Sequence, residues 1–174
     1  MRPEGIAAGG PPLIRLASAK DEAVLATLFH AIDLHYWGAA APARAVMAEH
    51  VRRNILGGPH GAPGCEIAIA EIDGKPVGLA TFAILYPAPG PAGQLFMKDL
   101  FTVTEARGRG IGRALMEFLA RLALERGCAR FDWTAETDNP QALAFYDRLG
   151  ARRVEDKVYY RFEGEALEEL AGKG

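Results

Sequence analysis

The chain has 174 residues, 49% of them hydrophobic, and a formal net charge of −2. That length suits one domain with a substantial core, and near-neutral charge offers no broad basic surface for nucleic acid. Cys65 and Cys128 are too few and too far apart for a disulfide framework, and His30, His35, His50 and His60 show no zinc-ligand spacing with them, so no metal is expected.

Residues 1–12 lack an apolar core long enough for a signal peptide and read as a flexible tail ahead of one domain over 13–174. No segment approaches a transmembrane span, which leaves a cytoplasmic protein with reduced thiols and no membrane partner as the expectation. Residues 13–17 alternate as a first strand. Ser18, followed by Asp21, gives a capping signal, and Val24, Leu25, Leu28, Phe29 and Ile32 form a helical stripe ending near Leu34. A second helix is predicted after Pro42, running to Leu56. Residues 65–72 read as a strand, Asp73-Gly74-Lys75 as a hairpin turn, and residues 77–86 as the returning strand. Residues 87–93 are rich in proline and glycine and predict a loop. A strand over 94–103 follows, then a helix with Ile111, Leu115, Phe118, Leu119 and Leu122 on one stripe, ended by Gly127. A strand over 130–134, a helix over 140–149 and a final strand over 158–162 complete the order β-α-α-β-β-β-α-β-α-β. This predicts an α/β protein, a mixed sheet with helices on its faces.

The most informative segment is Arg107-Gly108-Arg109-Gly110-Ile111-Gly112-Arg113, between a predicted strand and a predicted helix. A glycine-rich turn there aims backbone N–H groups and the positive end of the helix dipole at one point, a seat for a phosphate or pyrophosphate. Arginines in the loop add charge-assisted donors. Arg113 stands where the dinucleotide fingerprint G-x-G-x-x-G needs glycine or alanine, and no G-K-S or G-K-T follows, so neither familiar nucleotide loop fits. What remains is R-x-x-G-x-G, formed by Arg107, Gly110 and Gly112. Some thirty residues on stands Asn139-Pro140-Gln141-Ala142-Leu143-Ala144-Phe145-Tyr146. Asn139 and Tyr146 are two helical turns apart and can share a side. Alone, Tyr146 also reads as an amphipathic residue at the edge of a core.

The two motifs in this order resemble the GNAT superfamily of N-acetyltransferases. Its members carry R/Q-x-x-G-x-G/A for the coenzyme A pyrophosphate and N-x-x-A-x-x-F-Y further on. The similarity is greatest to the diamine (spermidine/spermine) and thialysine acetyltransferase branch. It runs from Lys98-Asp99-Leu100-Phe101 through both motifs into the residues following Tyr159. The resemblance implies a central, mostly antiparallel mixed sheet flanked by helices. It also implies acetyl-CoA as co-substrate, a small-molecule primary amine as acceptor, and direct attack in a ternary complex.

Such a transfer needs a neutral amine, a donor for the tetrahedral oxyanion and a proton for the departing thiolate. The resemblance assigns the acyl carbonyl to backbone N–H groups of Leu100, Phe101 and Thr102, and the pyrophosphate to Arg107, Gly108, Arg109, Gly110, Ile111, Gly112 and Arg113. It assigns a coenzyme contact to Asn139, with a helix N-cap as the competing role, and the general acid to Tyr146. The polyamine-acetylating branch has adjacent acidic residues where this chain has Lys98 and Asp99, and a cation at 98 should repel a polyamine. Asp33, His35, Tyr36, Trp37 and Tyr86 are further acceptor candidates, each with a packing role as the alternative. In the similar branch the end region packs between two subunits, so a homodimer is expected. A protein or peptide acetyltransferase and a non-catalytic acyl-CoA-binding module remain the alternatives.

Overall fold

The computed structural model describes residues 10–56, 65–88 and 90–173. Of the expected tail, residues 1–9 lie outside the described residues, as does His60. The chain forms two compact units, one up to Thr134 and one from Ala135 on.

The first unit is built on five strands, β1 (Leu13–Leu16), β2 (Glu66–Ile72), β3 (Lys75–Ala88), β4 (Ala92–Thr102) and β5 (Cys128–Trp133), neighbours in chain order. The first three pairings are antiparallel, and β4 with β5 is parallel. β2 and β3 are joined at Asp73 and Gly74, both at positive φ (51° and 72°). That is the two-residue turn whose twist matches a hairpin.

Period-two alternation sorts the sheet's residues onto two faces. On one face Ile67, Ile69 and Leu79 pack against Leu25 and Leu28 of helix α1 (Glu22–Trp37) and against Val51, which follows helix α2 (Arg44–His50). The other face receives α3 (Ile111–Glu125), which buries Ile111, Leu115, Met116, Leu119 and Ala123. Gly78 permits that close approach: a Cβ there would lie 2.6 Å from the Phe101 carbonyl oxygen and 3.3 Å from Ile111 Cγ2. Arg126, just past α3, grips both carboxylate oxygens of Glu66 and ties the helix end to the start of β2.

Four details differ from the sequence expectation. Helix α1 continues three residues past Leu34. The second helix keeps α geometry only to His50, then widens over Val51–Ile55, where Leu56 N–H reaches the Val51 carbonyl five residues back at 2.9 Å. The predicted 87–93 loop is mostly strand: β3 reaches Ala88, β4 begins at Ala92, and these two pair across an irregularity. Pro87 is tolerated because β3 has outrun β2, whose last partner is Phe82, so a missing N–H there faces no ladder on that side. The predicted final strand at 158–162 does not form, and its Val158, Tyr159, Tyr160 and Phe162 are exposed. Strand-forming residues supply propensity, but a strand exists only where another backbone completes its hydrogen bonds.

In the second unit α4 (Pro140–Arg148) is closed at both ends. The Asn139 side chain accepts from Ala142 N–H at 3.0 Å. At the far end Gly150 N–H donates to the Asp147 carbonyl and Ala151 N–H to the Tyr146 carbonyl, the paired bonds of a glycine C-cap. A short helix α5 (Glu165–Leu170) follows.

The Ser18–Asp21 signal proves to be a full capping box. Asp21 is also gripped by Arg15, whose guanidinium donates to both its oxygens (3.0 and 2.7 Å) and to Glu71 of β2 (2.7 Å). Arg15, aided by Ser18, holds the Asp21 carboxyl well below the usual carboxylate range despite its burial. A depressed carboxylate stabilises the fold above its unfolded pKa near 4, and that stabilisation fades as pH falls toward the folded value. Asp21→Asn is therefore expected to lower stability at neutral pH by roughly 2 kcal/mol, about 5 °C in Tm. The gap to wild type should begin to narrow below about pH 4 and keep narrowing as pH falls toward the folded value. A melting-temperature deficit constant from pH 7 to pH 3 would disprove the charge-based account.

Candidate active site

The loop expected to hold phosphate lies between β4 and α3. Gly108 and Gly110 both stand at φ 77°, a left-handed conformation that L side chains rarely adopt. A Cβ at either would meet nothing within 4 Å, so the requirement for glycine here is conformational. Gly110 is the N-cap of α3 and carries no side chain to cap it, and the first turn holds no acidic residue. The first intrahelical bond is Ala114 N–H to the Gly110 carbonyl at 2.9 Å. The N–H groups of Ile111, Gly112 and Arg113 precede that bond, so the helix itself gives them no acceptor. Three donors, the positive helix end and the arginines around them make a fitting seat for a doubly charged pyrophosphate. Arg107 is exposed and its Nε donates to the Thr102 carbonyl at 3.3 Å, which ties the loop to the end of β4.

The parallel pairing of β4 with β5 ends at Met97 opposite Trp133, yet β4 stays paired to β3 up to Thr102 opposite Gly78. From residue 98 to 102 the outer edge of β4 is therefore unpaired by β5. Val103 N–H donates to the Val77 carbonyl, and Asp99 N–H to Thr81 Oγ1, both toward β3. By alternation Phe101 N–H also turns to β3, whereas Leu100 and Thr102 turn their peptide groups to the open edge. Of the three expected backbone donors, Leu100 and Thr102 are the ones placed there. The Phe101 side chain instead helps line a cleft of about 250 Å³ with Val103, Thr104, Glu105 and the α1 residues Ala31, Leu34 and His35.

At the head of this edge the β3–β4 register slips by one: Thr81 faces Asp99, Phe82 faces Met97, and Lys98 is the extra residue. The bulge reverses the alternation, so Met97 points to the α3 face and Asp99, two residues on, to the α1 face. Thr81, 5% exposed, donates its hydroxyl to Asp99 Oδ2 at 2.6 Å. Lys98 extends into solvent with Nζ 3.4 Å from Asp99 Oδ1. Burial pushes the nearby Cys65 thiol up, and the Asp99 charge adds to the shift, so Cys65 stays neutral.

The remaining acceptor candidates scatter. Asp33 and Trp37 each lie about 160° around α1 from His35, away from the cleft that His35 lines. Asp33 Oδ2 is buried without a hydrogen-bond partner among the described residues, and Tyr36 and Trp37 are each 66% exposed. Tyr86 is exposed, with its ring against Gly93 of β4. Asn139 and Tyr146 belong to the second unit. There the Asn139 oxygen serves as the α4 cap, and the Tyr146 ring packs edge-on against Phe145 at 5.1 Å. Among the described residues no group of three or more His, Cys, Asp or Glu side chains could hold a metal, and no helix is long and apolar enough to cross a membrane. No motif marks Thr81 in the sequence; its one signal is a lone hydroxyl in the inward series Val77, Leu79, Thr81, Ala83.

Comparison with known proteins follows the same lines. The sequence profile of the acetyltransferase (GNAT) family matches residues 29–151. The thialysine N-epsilon-acetyltransferase of Sus scrofa is 39% identical over 82 residues, 45% of this chain and 48% of that protein. The L-2,4-diaminobutyric acid acetyltransferase of Nocardia farcinica is 32% identical over 91 residues, 52% of this chain and 45% of that protein. The chain thus spans about half the length of these curated relatives. An integron cassette protein from the mobile metagenome of V. cholerae superposes with a TM-score of 0.86 at 37% identity, covering 94% of this chain and 99% of that one.

Proposed function

Because the chain belongs to the acetyltransferase (GNAT) family, we propose that it transfers the acetyl group of acetyl-CoA to a primary amine of a small molecule, by direct attack in a ternary complex. The observation that carries this reading is the α3 start, an uncapped helix N-terminus behind two left-handed glycines and set among arginines. It suits the pyrophosphate of acetyl-CoA. The open edge of β4 beyond Met97 presents the Leu100 and Thr102 peptide groups, the donors expected to meet the thioester carbonyl as it gains charge. Tyr146, carried over from its motif, is the acid for the departing thiolate: a phenol with a pKa near 10 keeps its proton at neutral pH and can give it to sulfur. Asp99 and His35 are the groups that can take the amine's proton, directly or through water. Residues 13–174 act as one acetyltransferase domain, in the cytoplasm. The exposed aromatics at 158–162 suit a homodimer in which a second copy covers them.

The acceptor is an amine that also bears a carboxylate. Lys98 stands exposed at the bulge beside Asp99, and a cation there favours an anionic group and disfavours a free polyamine. Both curated relatives described above are named for amino acids with a second amine, which agrees with this preference. Thiol release from acetyl-CoA, followed across polyamines, amino acids, aminoglycosides and peptides, tests the reading. Lys98→Glu should move the kcat/KM ratio toward diamines by about tenfold. A wild-type protein that prefers spermidine to every carboxylated amine would overturn this assignment.

A further inference from the structure

We infer that Thr81 is a positioning residue for acetyl transfer: its buried hydroxyl fixes the Asp99 carboxylate at the point where β4 parts from β5, leaving Asp99 Oδ1 turned to the acceptor. The inference rests on the function proposed above and adds a residue to its machinery.

Three observations carry it. The first is the reciprocity of the contact. The Thr81 hydroxyl donates to Asp99 Oδ2 at 2.6 Å and accepts from Asp99 N–H at 3.1 Å. One hydroxyl therefore fixes both the backbone and the side chain of one residue. The second is the place. The pair sits at the bulge that inserts Lys98, where alternation alone would leave the direction of Asp99 poorly specified. The third is the division of labour on the carboxylate. Oδ2 is taken by a residue only 5% exposed, whereas Oδ1, among the described residues, meets the solvated Lys98 ammonium at 3.4 Å. A buried threonine in a strand is nearly isosteric with valine, and its neighbours on that face of β3 are Leu79 and Ala83. Packing alone does not call for the hydroxyl at this position. An oriented carboxylate does, because a proton acceptor works only within hydrogen-bond reach of the reacting amine.

The test separates orientation from packing with two substitutions of opposite character. Thr81→Val keeps the volume and removes the hydroxyl; Thr81→Ser keeps the hydroxyl and removes a methyl group. Turnover is measured with acetyl-CoA and each of thialysine, L-ornithine and spermidine, beside melting temperature and the KM for acetyl-CoA. Thr81→Val should lower kcat about tenfold with the acetyl-CoA KM unchanged. Thr81→Ser should keep wild-type kcat even where it melts earlier. In an Asp99→Ala background, Thr81→Val should cause no further loss, since the group it orients is gone. Wild-type kcat in Thr81→Val, a kcat loss in Thr81→Ser that follows its melting temperature, or additive losses in the double variant would each overturn the positioning role while leaving the proposed function standing. A Thr81→Val chain that does not fold shifts the decision to Thr81→Ser, whose kcat must then match wild type. A wild-type protein silent with these three and with every amine of the wider screen removes the proposed function, and this inference with it.

Discussion

Gly110→Glu is expected to abolish acetyl-CoA binding, lowering affinity about a hundredfold or more, while the chain stays folded. Two effects add. Gly110 holds φ 77°, so any side chain forces strain of about 1–2 kcal/mol on the start of α3. The new carboxylate would then occupy the anion seat itself, accepting from the N–H groups of the first turn and repelling phosphate oxygens. Because a Cβ at 110 meets nothing within 4 Å, no packed neighbour is displaced. Gly110→Ala separates the two contributions, since it carries the strain without the charge. Calorimetric titration with coenzyme A should show a modest loss for Gly110→Ala and none of the wild-type heat for Gly110→Glu. Equal affinity in Gly110→Glu and wild type would remove the loop from the site.

Tyr146→Phe is expected to lower kcat by roughly 10² while changing acetyl-CoA affinity little. The hydroxyl matters most as sulfur gains charge, which happens only on the way to the transition state. The substitution leaves the frame of α4 alone: the Asn139 cap, the glycine C-cap and the Phe145 ring contact do not use the phenol oxygen. A pre-steady-state burst would show whether chemistry limits the wild-type rate, as the prediction requires. Unchanged kcat with chemistry limiting would assign the proton to water and leave Tyr146 as packing.

The parts of the fold written by local chemistry were legible in the sequence. The Ser18 capping box, the Asp73–Gly74 turn and the caps of α4 each depend on residues within a few positions of one another, and each formed where the pattern placed it, while the α3 stripe kept Ile111, Leu115 and Leu119 and buries Met116 and Ala123 in place of Phe118 and Leu122. What escaped depended on partners distant in sequence. Nothing near residues 158–162 says whether a neighbouring backbone will complete a strand, and nothing near Pro87 says that its edge of β3 will be unpaired. The same holds within the site. The glycine-rich loop ahead of α3 was visible as spacing, because its geometry is set by its own glycines. The bulge at Lys98 and the Thr81–Asp99 pair were not, because they arise from the register of residues eighteen apart. Leu100, Phe101 and Thr102 looked equivalent in sequence, and only pairing with β3 separates them.

The extra residue in β4 has an evolutionary consequence. Met97 and Asp99 face opposite sides of the sheet only because one residue intervenes out of phase. The fold is nearly indifferent to which residue stands at 98, since that side chain is 79% exposed. Deleting it would make Met97 and Asp99 consecutive and restore plain alternation, whereas exchanging it alters the charge beside Asp99 and little else. Position 98 is thus a place where surface charge can change through single exchanges with the scaffold intact; under the function proposed, a lineage could change its acceptor faster than its core.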